Sequence, residues 1–164
     1  MSKYENLVGH PYVAGRQDCF SVIRDYYQQN FGIRFKNYAR PDRFWEDPAL
    51  DLYQLFGREG GVMVHDNSVQ TGDVLLIPLM TRIAAHAAVV VGDNLMLHHP
   101  PGGLSCVEPL RPRWLSRAAM VLRHPAVVSD DYIQTVHLHE VTDAPIFRTP
   151  EYKQTVAKLL GAGG

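Results

Sequence analysis

One early segment of the chain carries apolar residues at helical spacing. The residues that recur at intervals of three or four positions are Ile23, Tyr26, Tyr27 and Phe31. Asp18 can cap the first turn, because its carboxylate accepts hydrogen bonds from free backbone amides, and Gly32 can end the helix in the left-handed conformation. The pattern therefore predicts a helix over residues 18–31.

Short apolar and β-branched runs bounded by turns replace this pattern after Gln70. They predict strands over residues 74–79, 86–91, 95–99, 104–107 and 119–123. The segment Gly92-Asp93-Asn94 forms a tight hairpin turn between the second and third runs. Before them, residues 34–68 are a polar and aromatic connection with a short helix near 48–56. A helix followed by an antiparallel meander is the order of an α+β fold, which is the predicted class.

The pattern weakens after Pro125. A strand within residues 130–141 and a final helix over 150–160 are expected there. We therefore predict a domain over residues 1–127 and a C-terminal extension over residues 128–164.

Composition narrows the function classes. The chain has 164 residues, of which 46% are hydrophobic and 20% charged, as in a single globular domain. A net charge of −1 without a basic stripe argues against nucleic-acid binding. The longest apolar run is too short to span a bilayer, and the N-terminal residues lack the pattern of a signal peptide. Synthesis in the cytoplasm is therefore expected.

A cysteine and two histidines stand where nucleophilic chemistry would need them. Cys19 falls in the first turn of the predicted helix, where the positive end of the helix dipole favours the thiolate. His86 begins a strand and His98 ends the next, so the hairpin brings them close to opposite each other, with Cβ atoms about 5 Å apart. His98 could then orient His86 while His86 faces the thiol, provided that this face of the sheet packs against the helix N-terminus. A small thiol buried in the core is the alternative.

Two metal sites compete with this interpretation. His137 and His139 would share one face of a strand and could bind zinc with a carboxylate or with Cys106. No compact second ligand pair follows them at metal spacing. Cys19, His86 and His98 are a further possible ligand set. Neither set is favoured, so no metal and no cofactor is predicted.

Four short motifs carry a resemblance to a known family. In chain order they are Pro11-Tyr12 with Asp18-Cys19, Thr71-Gly72-Asp73-Val74-Leu75, His86-Ala87-Ala88-Val89-Val90-Val91-Gly92 and Met96-Leu97-His98. In this order and spacing the chain resembles the NlpC/P60 cysteine peptidases over roughly residues 4–127. The resemblance implies a papain-like α+β fold, in which the cysteine-bearing helix packs on an antiparallel sheet.

The resemblance also implies roles for individual residues. Cys19 would be the nucleophile, His86 the general base and then acid, and His98 the residue that orients the imidazole. Tyr12 and Asp18 are the predicted oxyanion and substrate residues, with the Tyr12 hydroxyl beside the thiol.

Members of the family mostly cleave the peptide stems of bacterial cell wall, and many carry Ser-Gly after the cysteine. Here Phe20-Ser21 follows it, which we expect to change the wall beside the nucleophile and which favours the phage tail-associated members. The predicted function is a phage tail-tip cysteine endopeptidase that acts on peptidoglycan during cell entry. The alternatives are a structural tail-tip or baseplate component with an unused site and, more weakly, an acyltransferase or amidase. Residues 128–164 would dock onto tail-tip or baseplate neighbours in the virion.

Overall fold

A computed structural model describes residues 3–41, 52–64, 68–77, 86–110, 114, 118, 120–127 and 132–135 of the chain. The helical elements are a 3-10 turn Glu5–Leu7, α1 Cys19–Phe31 and α2 Leu52–Arg58. The strands are β1 Val62–Met63, β2 Ser68–Gln70, β3 Val74–Ile77, β4 His86–Gly92, β5 Leu95–His98, β6 Cys106–Pro109, β7 Met120–Arg123 and β8 Tyr132–Thr135. None of the helices within these ranges is long and apolar enough to cross a membrane.

Six of the strands form one antiparallel sheet in the order β1-β7-β3-β4-β5-β6. The predicted α+β class, with a cysteine-bearing helix and an antiparallel sheet, is confirmed. The strand predicted over 104–107 forms two residues later. β1 lies within the predicted connection 34–68, and β2 begins at its last residue. The strand expected within residues 130–141 is present as β8, which pairs with β2 in a second sheet.

The large sheet is buried on both faces, which is why β3 and β4 have nearly continuous apolar sequences. Ala87, Val89 and Leu97 face the core that contains α1 and α2. The opposite face carries a second cluster, which includes Ala88 and Met96. The apolar residues of β4 therefore alternate between two packed layers.

Phe20, beside the predicted nucleophile, is a core residue. Its side chain is fully buried. Its ring centroid lies 5.2 Å from that of Phe56 and 6.4 Å from that of Phe35, and the Arg40 guanidinium lies over its face at 4.6 Å. This ring fills the space between α1 and α2, and the expectation that it changes the wall beside the thiol stays a prediction.

Candidate active site

A buried ion pair fixes the N-terminus of α1. The Asp18 carboxylate caps the helix by accepting from the backbone N–H of Ser21 at 2.9 Å and from its hydroxyl at 2.8 Å. Arg40 donates to both carboxylate oxygens, through Nε at 2.9 Å and Nη2 at 3.0 Å, and both side chains are almost completely buried. Burial acts to raise the pKa of Asp18, but the bonds and charge of Arg40 and the Ser21 bonds outweigh it and lower the pKa. Asp18 thus holds the helix start, and its predicted substrate role stays a prediction.

Cys19, the first residue of α1, is closed off from solvent. It is 3% exposed, and its thiol is not in a disulfide. Burial raises the pKa of Cys19 to about 12 and the Asp18 carboxylate adds to the rise, although the backbone N–H groups of Ala87 and Phe20 and the charge of Arg40 oppose it. The expectation that the helix dipole favours the thiolate is therefore wrong for this resting state, because desolvation outweighs the dipole.

The two predicted site histidines share one face of the sheet. His86 on β4 pairs with Ile77 on β3, and His98 on β5 lies directly opposite Ala88 on β4. A bulge between Val90 and Gly92 shifts the β4–β5 register by one residue, and without it His98 would oppose Val89 and face α1. The two histidines are therefore diagonal neighbours, two positions from direct opposition, where the sequence predicted them close to opposite each other.

This shared face is not the one that packs against α1. His86 and His98 alternate with Ala87 and Leu97, which belong to the core beside the helix. Cys19 reaches β4 from the α1 side, where the backbone N–H of Ala87 donates to its sulfur. The condition that the histidine face packs onto the helix N-terminus is therefore not met in the resting chain, and the thiol meets β4 one residue after His86.

A chain of hydrogen bonds links His86 to a carboxylate. His86 Nε2 and His98 Nδ1 are 2.9 Å apart, and His98 Nε2 lies 2.7 Å from Oε2 of Glu108 on β6. The Trp114 ring packs edge-on against His98, with ring centroids 5.4 Å apart. The other ring nitrogen of His86, Nδ1, is buried and has no hydrogen-bond partner among the described residues.

The order of the groups in this hydrogen-bonded series, His86, His98 and Glu108, fixes which ring nitrogens carry protons. Burial lowers the pKa of His98, against the opposing effect of Glu108, and it lowers the pKa of His86 to about 3, so both rings are neutral near pH 7. A carboxylate only accepts, so His98 donates to Glu108 from Nε2–H and its Nδ1 must accept from His86 Nε2–H. His86 Nδ1 is left with a free lone pair, which is the state that a proton acceptor needs.

Tyr12 lies near a different histidine. Its half-buried ring packs edge-on against His99, with centroids 5.3 Å apart. A pocket of about 80 Å³ lies beside the first turns of α1, and His99, Arg16 and Asp25 contribute to its lining. Within the part of the chain that the structure describes, neither Cys19 nor His86 lines this pocket. The predicted oxyanion role of Tyr12 stays a prediction.

Sequence reasoning missed Glu108 and Arg40. Neither belongs to a motif. Glu108 meets His98 only through the register of β5 and β6, and Arg40 meets Asp18, which lies 22 positions away in the sequence. The alternation of Cys106 and Glu108 along a strand was the one available signal for Glu108. His137 and His139, the rival metal ligands, lie outside the described residues, as does most of the predicted extension 128–164.

Comparison with known proteins gives two results. Residues 9–123 match the family described as the NlpC/P60 family. The chain is 30% identical over 122 residues to the tail tip assembly protein K of Escherichia phage N15, which covers 74% of this chain and 50% of that protein. It is 31% identical over 121 residues to the protein of the same name from Escherichia phage lambda, covering 74% and 60%. The chain thus spans a half to three-fifths of the length of these curated relatives.

Proposed function

Because the chain belongs to the NlpC/P60 family, we propose that it is a phage tail-tip cysteine peptidase that hydrolyses peptidoglycan stem peptides during cell entry. The observation that carries the proposal is the free lone pair of His86 Nδ1, produced by the bonds to His98 and Glu108. The tail location rests on the two relatives named tail tip assembly protein K.

The reaction begins with transfer of the Cys19 thiol proton to His86 Nδ1. The thiolate attacks the scissile carbonyl carbon, and the backbone N–H of Cys19 and the Tyr12 hydroxyl are the proposed donors to the resulting oxyanion. His86 returns its proton to the departing amine as the C–N bond breaks and a thioester forms. A water molecule, deprotonated by His86, then attacks the thioester, releases the new carboxyl group and restores the thiol.

The resting site has to open before this reaction can occur. The thiol is buried and neutral, and the Nδ1 lone pair of His86 makes no hydrogen bond to it. Catalytic hydrogen bonds often tighten only in the substrate complex. We therefore assign to the bound stem peptide the role of bringing Cys19 and His86 together.

Digestion of purified peptidoglycan tests the proposal. The full chain is compared with Cys19→Ala and with Gln28→Ala, a control at an exposed position of the same helix. We expect new stem-peptide fragments from the wild type and from Gln28→Ala, and none from Cys19→Ala. Equal product from the wild type and Cys19→Ala would end the cysteine mechanism.

The second candidate is a structural tail-tip component whose thiol is never used. The observation that favours this candidate is the burial of Cys19 away from solvent. The two relatives of the chain are also named as assembly proteins. Particles that carry Cys19→Ala separate the two functions. Normal particle assembly and normal infection with that variant, together with the absence of wall digestion by the wild type, would establish the structural role.

A further inference from the structure

Three side chains with metal-binding atoms converge on the sheet face that points away from α1. His98 on β5 lies directly opposite Cys106 on β6, and Glu108 follows two positions later on the same edge strand. Val107 between them packs toward the α1 core, so Cys106 and Glu108 point to the other face with His98. Their ligand atoms all lie within 4.8 Å of one another.

The donor set is the kind that zinc prefers. An imidazole nitrogen, a thiolate sulfur and a carboxylate oxygen are its common protein ligands, and three of them leave a fourth tetrahedral position for water. Tetrahedral bonds at zinc distances separate such ligand atoms by roughly 3.3 to 3.6 Å. The 2.7 Å contact between His98 and Glu108 would have to widen by about 0.6 to 0.7 Å to admit the ion.

The two outer ligands have the access to solvent that an incoming cation needs. Cys106 and Glu108 are half-buried residues of an edge strand, and the Glu108 side chain is 34% exposed. His98 is buried and held by Trp114 and His86, so the two outer ligands can move onto a fixed nitrogen. A cation could therefore enter from the solvent side of β6.

We propose that His98, Cys106 and Glu108 form a binding site for a zinc-like divalent cation, and that occupation of the site removes the proton acceptor of the peptidase. Cys106 releases its thiol proton to solvent on binding, and Glu108 exchanges its hydrogen bond with His98 for a bond to the ion. The second half of the proposal rests on the proposed function of Cys19 and His86.

The switch follows from the positions of two protons. A cation on His98 Nε2 takes the lone pair there, so the proton of the neutral ring moves to Nδ1. That nitrogen lies 2.9 Å from His86 Nε2, which must now accept. The His86 proton therefore moves to Nδ1, the atom that would otherwise take the Cys19 proton. Both rings keep one proton each, but His86 Nδ1 has changed from a proton acceptor to a donor.

Binding is tested on the full chain after treatment with a chelator. Zn²⁺ is titrated by calorimetry, and Co²⁺ serves as a probe because its thiolate complexes absorb in the near ultraviolet. We expect one ion per chain and a thiolate-to-cobalt band in the wild type and in Cys19→Ala. Cys106→Ser should lose the band and at least tenfold in affinity, with unchanged circular dichroism.

A second set of variants separates this site from the rival ligands. The double variant His137→Gln/His139→Gln should bind as the wild type does. Three outcomes would each overturn the site. The first is a cobalt band that persists in Cys106→Ser, the second is a band lost in Cys19→Ala or in the double variant, and the third is the absence of binding.

The switch is read without catalysis by nitrogen-15 spectra of labelled histidine in Cys19→Ala. We expect the His86 proton on Nε2 in the metal-free chain and on Nδ1 with Zn²⁺ bound. An unchanged His86 spectrum in the Zn²⁺ complex would overturn the switch. Failure of the metal-free wild type to digest peptidoglycan would instead count against the proposed function, while the binding and tautomer results would still decide the metal site and the proton shift.

Discussion

Replacing Glu108 with glutamine removes the carboxylate that holds the His98 proton on Nε2, 2.7 Å away. The amide of glutamine can donate as well as accept, so His98 Nε2 is no longer required to carry the proton. In the fraction of molecules with the proton on Nδ1, His86 Nε2 becomes the acceptor and Nδ1 loses its lone pair. Glu108 is thus a positioning residue, which acts on His86 through His98.

The strength of one hydrogen bond sets the size of this effect. A hydrogen bond to a charged group contributes about 1.5 to 3 kcal/mol net. The Glu108 side chain is 34% exposed, and solvent screening favours the lower value. The same bond stabilises, through His98, the positive charge that His86 gains in the transition state. About 1.4 kcal/mol corresponds to a tenfold change in rate, so we expect Glu108→Gln to lower kcat/KM for stem-peptide hydrolysis roughly tenfold.

The assay measures peptidoglycan digestion in the presence of a chelator, so that bound metal does not contribute. Glu5→Gln makes the same chemical change on the exposed turn Glu5–Leu7 and serves as the matched control. Nitrogen-15 spectra should show a loss of Nε2–H character at His98 in Glu108→Gln. A rate within twofold of wild type with an unchanged His98 tautomer would refute the relay.

Three further predictions follow from burial at the site. Cys19 should alkylate more slowly than half-buried Cys106 at pH 7 in the native chain, because burial raises the pKa of Cys19 to about 12. Mass spectrometry should show equal alkylation of the two thiols when the chain is unfolded first. Asp18→Ala should cost about 3 to 5 kcal/mol in urea unfolding, because it leaves Arg40 buried and unpaired, and a loss under 1 kcal/mol would contradict this. The pKa of His86 falls from 6.5 to about 3 on folding, so the unfolded chain takes up a proton that the native chain does not, and this residue alone should lower stability by about 1.4 kcal/mol from pH 7.5 to pH 5.5. His86→Gln should lack this part of the pH dependence, and an identical dependence in both proteins would count against a neutral buried His86.

Local signals in the sequence predicted α1 well. Asp18 caps the helix through Ser21, and Gly32 ends it with a φ of 68°, so both boundaries can be recognised from neighbouring residues. The turn after β4 was also predictable, because Asp93 and Asn94 both adopt positive φ, which these residue types tolerate. Such features follow from the chain within a few positions.

The geometry of the site depends on longer-range effects. The face that His98 occupies is decided by a bulge at Val90–Gly92, and alternation alone cannot reveal a one-residue shift. The protonation of Cys19 is decided by burial under the whole core, which overrides the local helix dipole. His86 and His98 could be paired from the hairpin, but their carboxylate partner on β6 required the register of a third strand.

The closed thiol and the free His86 nitrogen are compatible with catalysis for one physical reason. Proton transfer from Cys19 to His86 creates two opposite charges in one step, and at a separation of 4 Å their attraction is worth about 4 kcal/mol near a protein surface. That attraction offsets part of the desolvation that opposes each charge, but only while sulfur and Nδ1 are in contact. In the resting chain the sulfur lies against the Ala87 amide on one side of β4, and the His86 ring leaves the strand on the other. Catalysis by Cys19 therefore requires the first residues of β4 to rearrange when the substrate binds. Faster alkylation of Cys19 in the presence of a stem peptide would show that this rearrangement occurs.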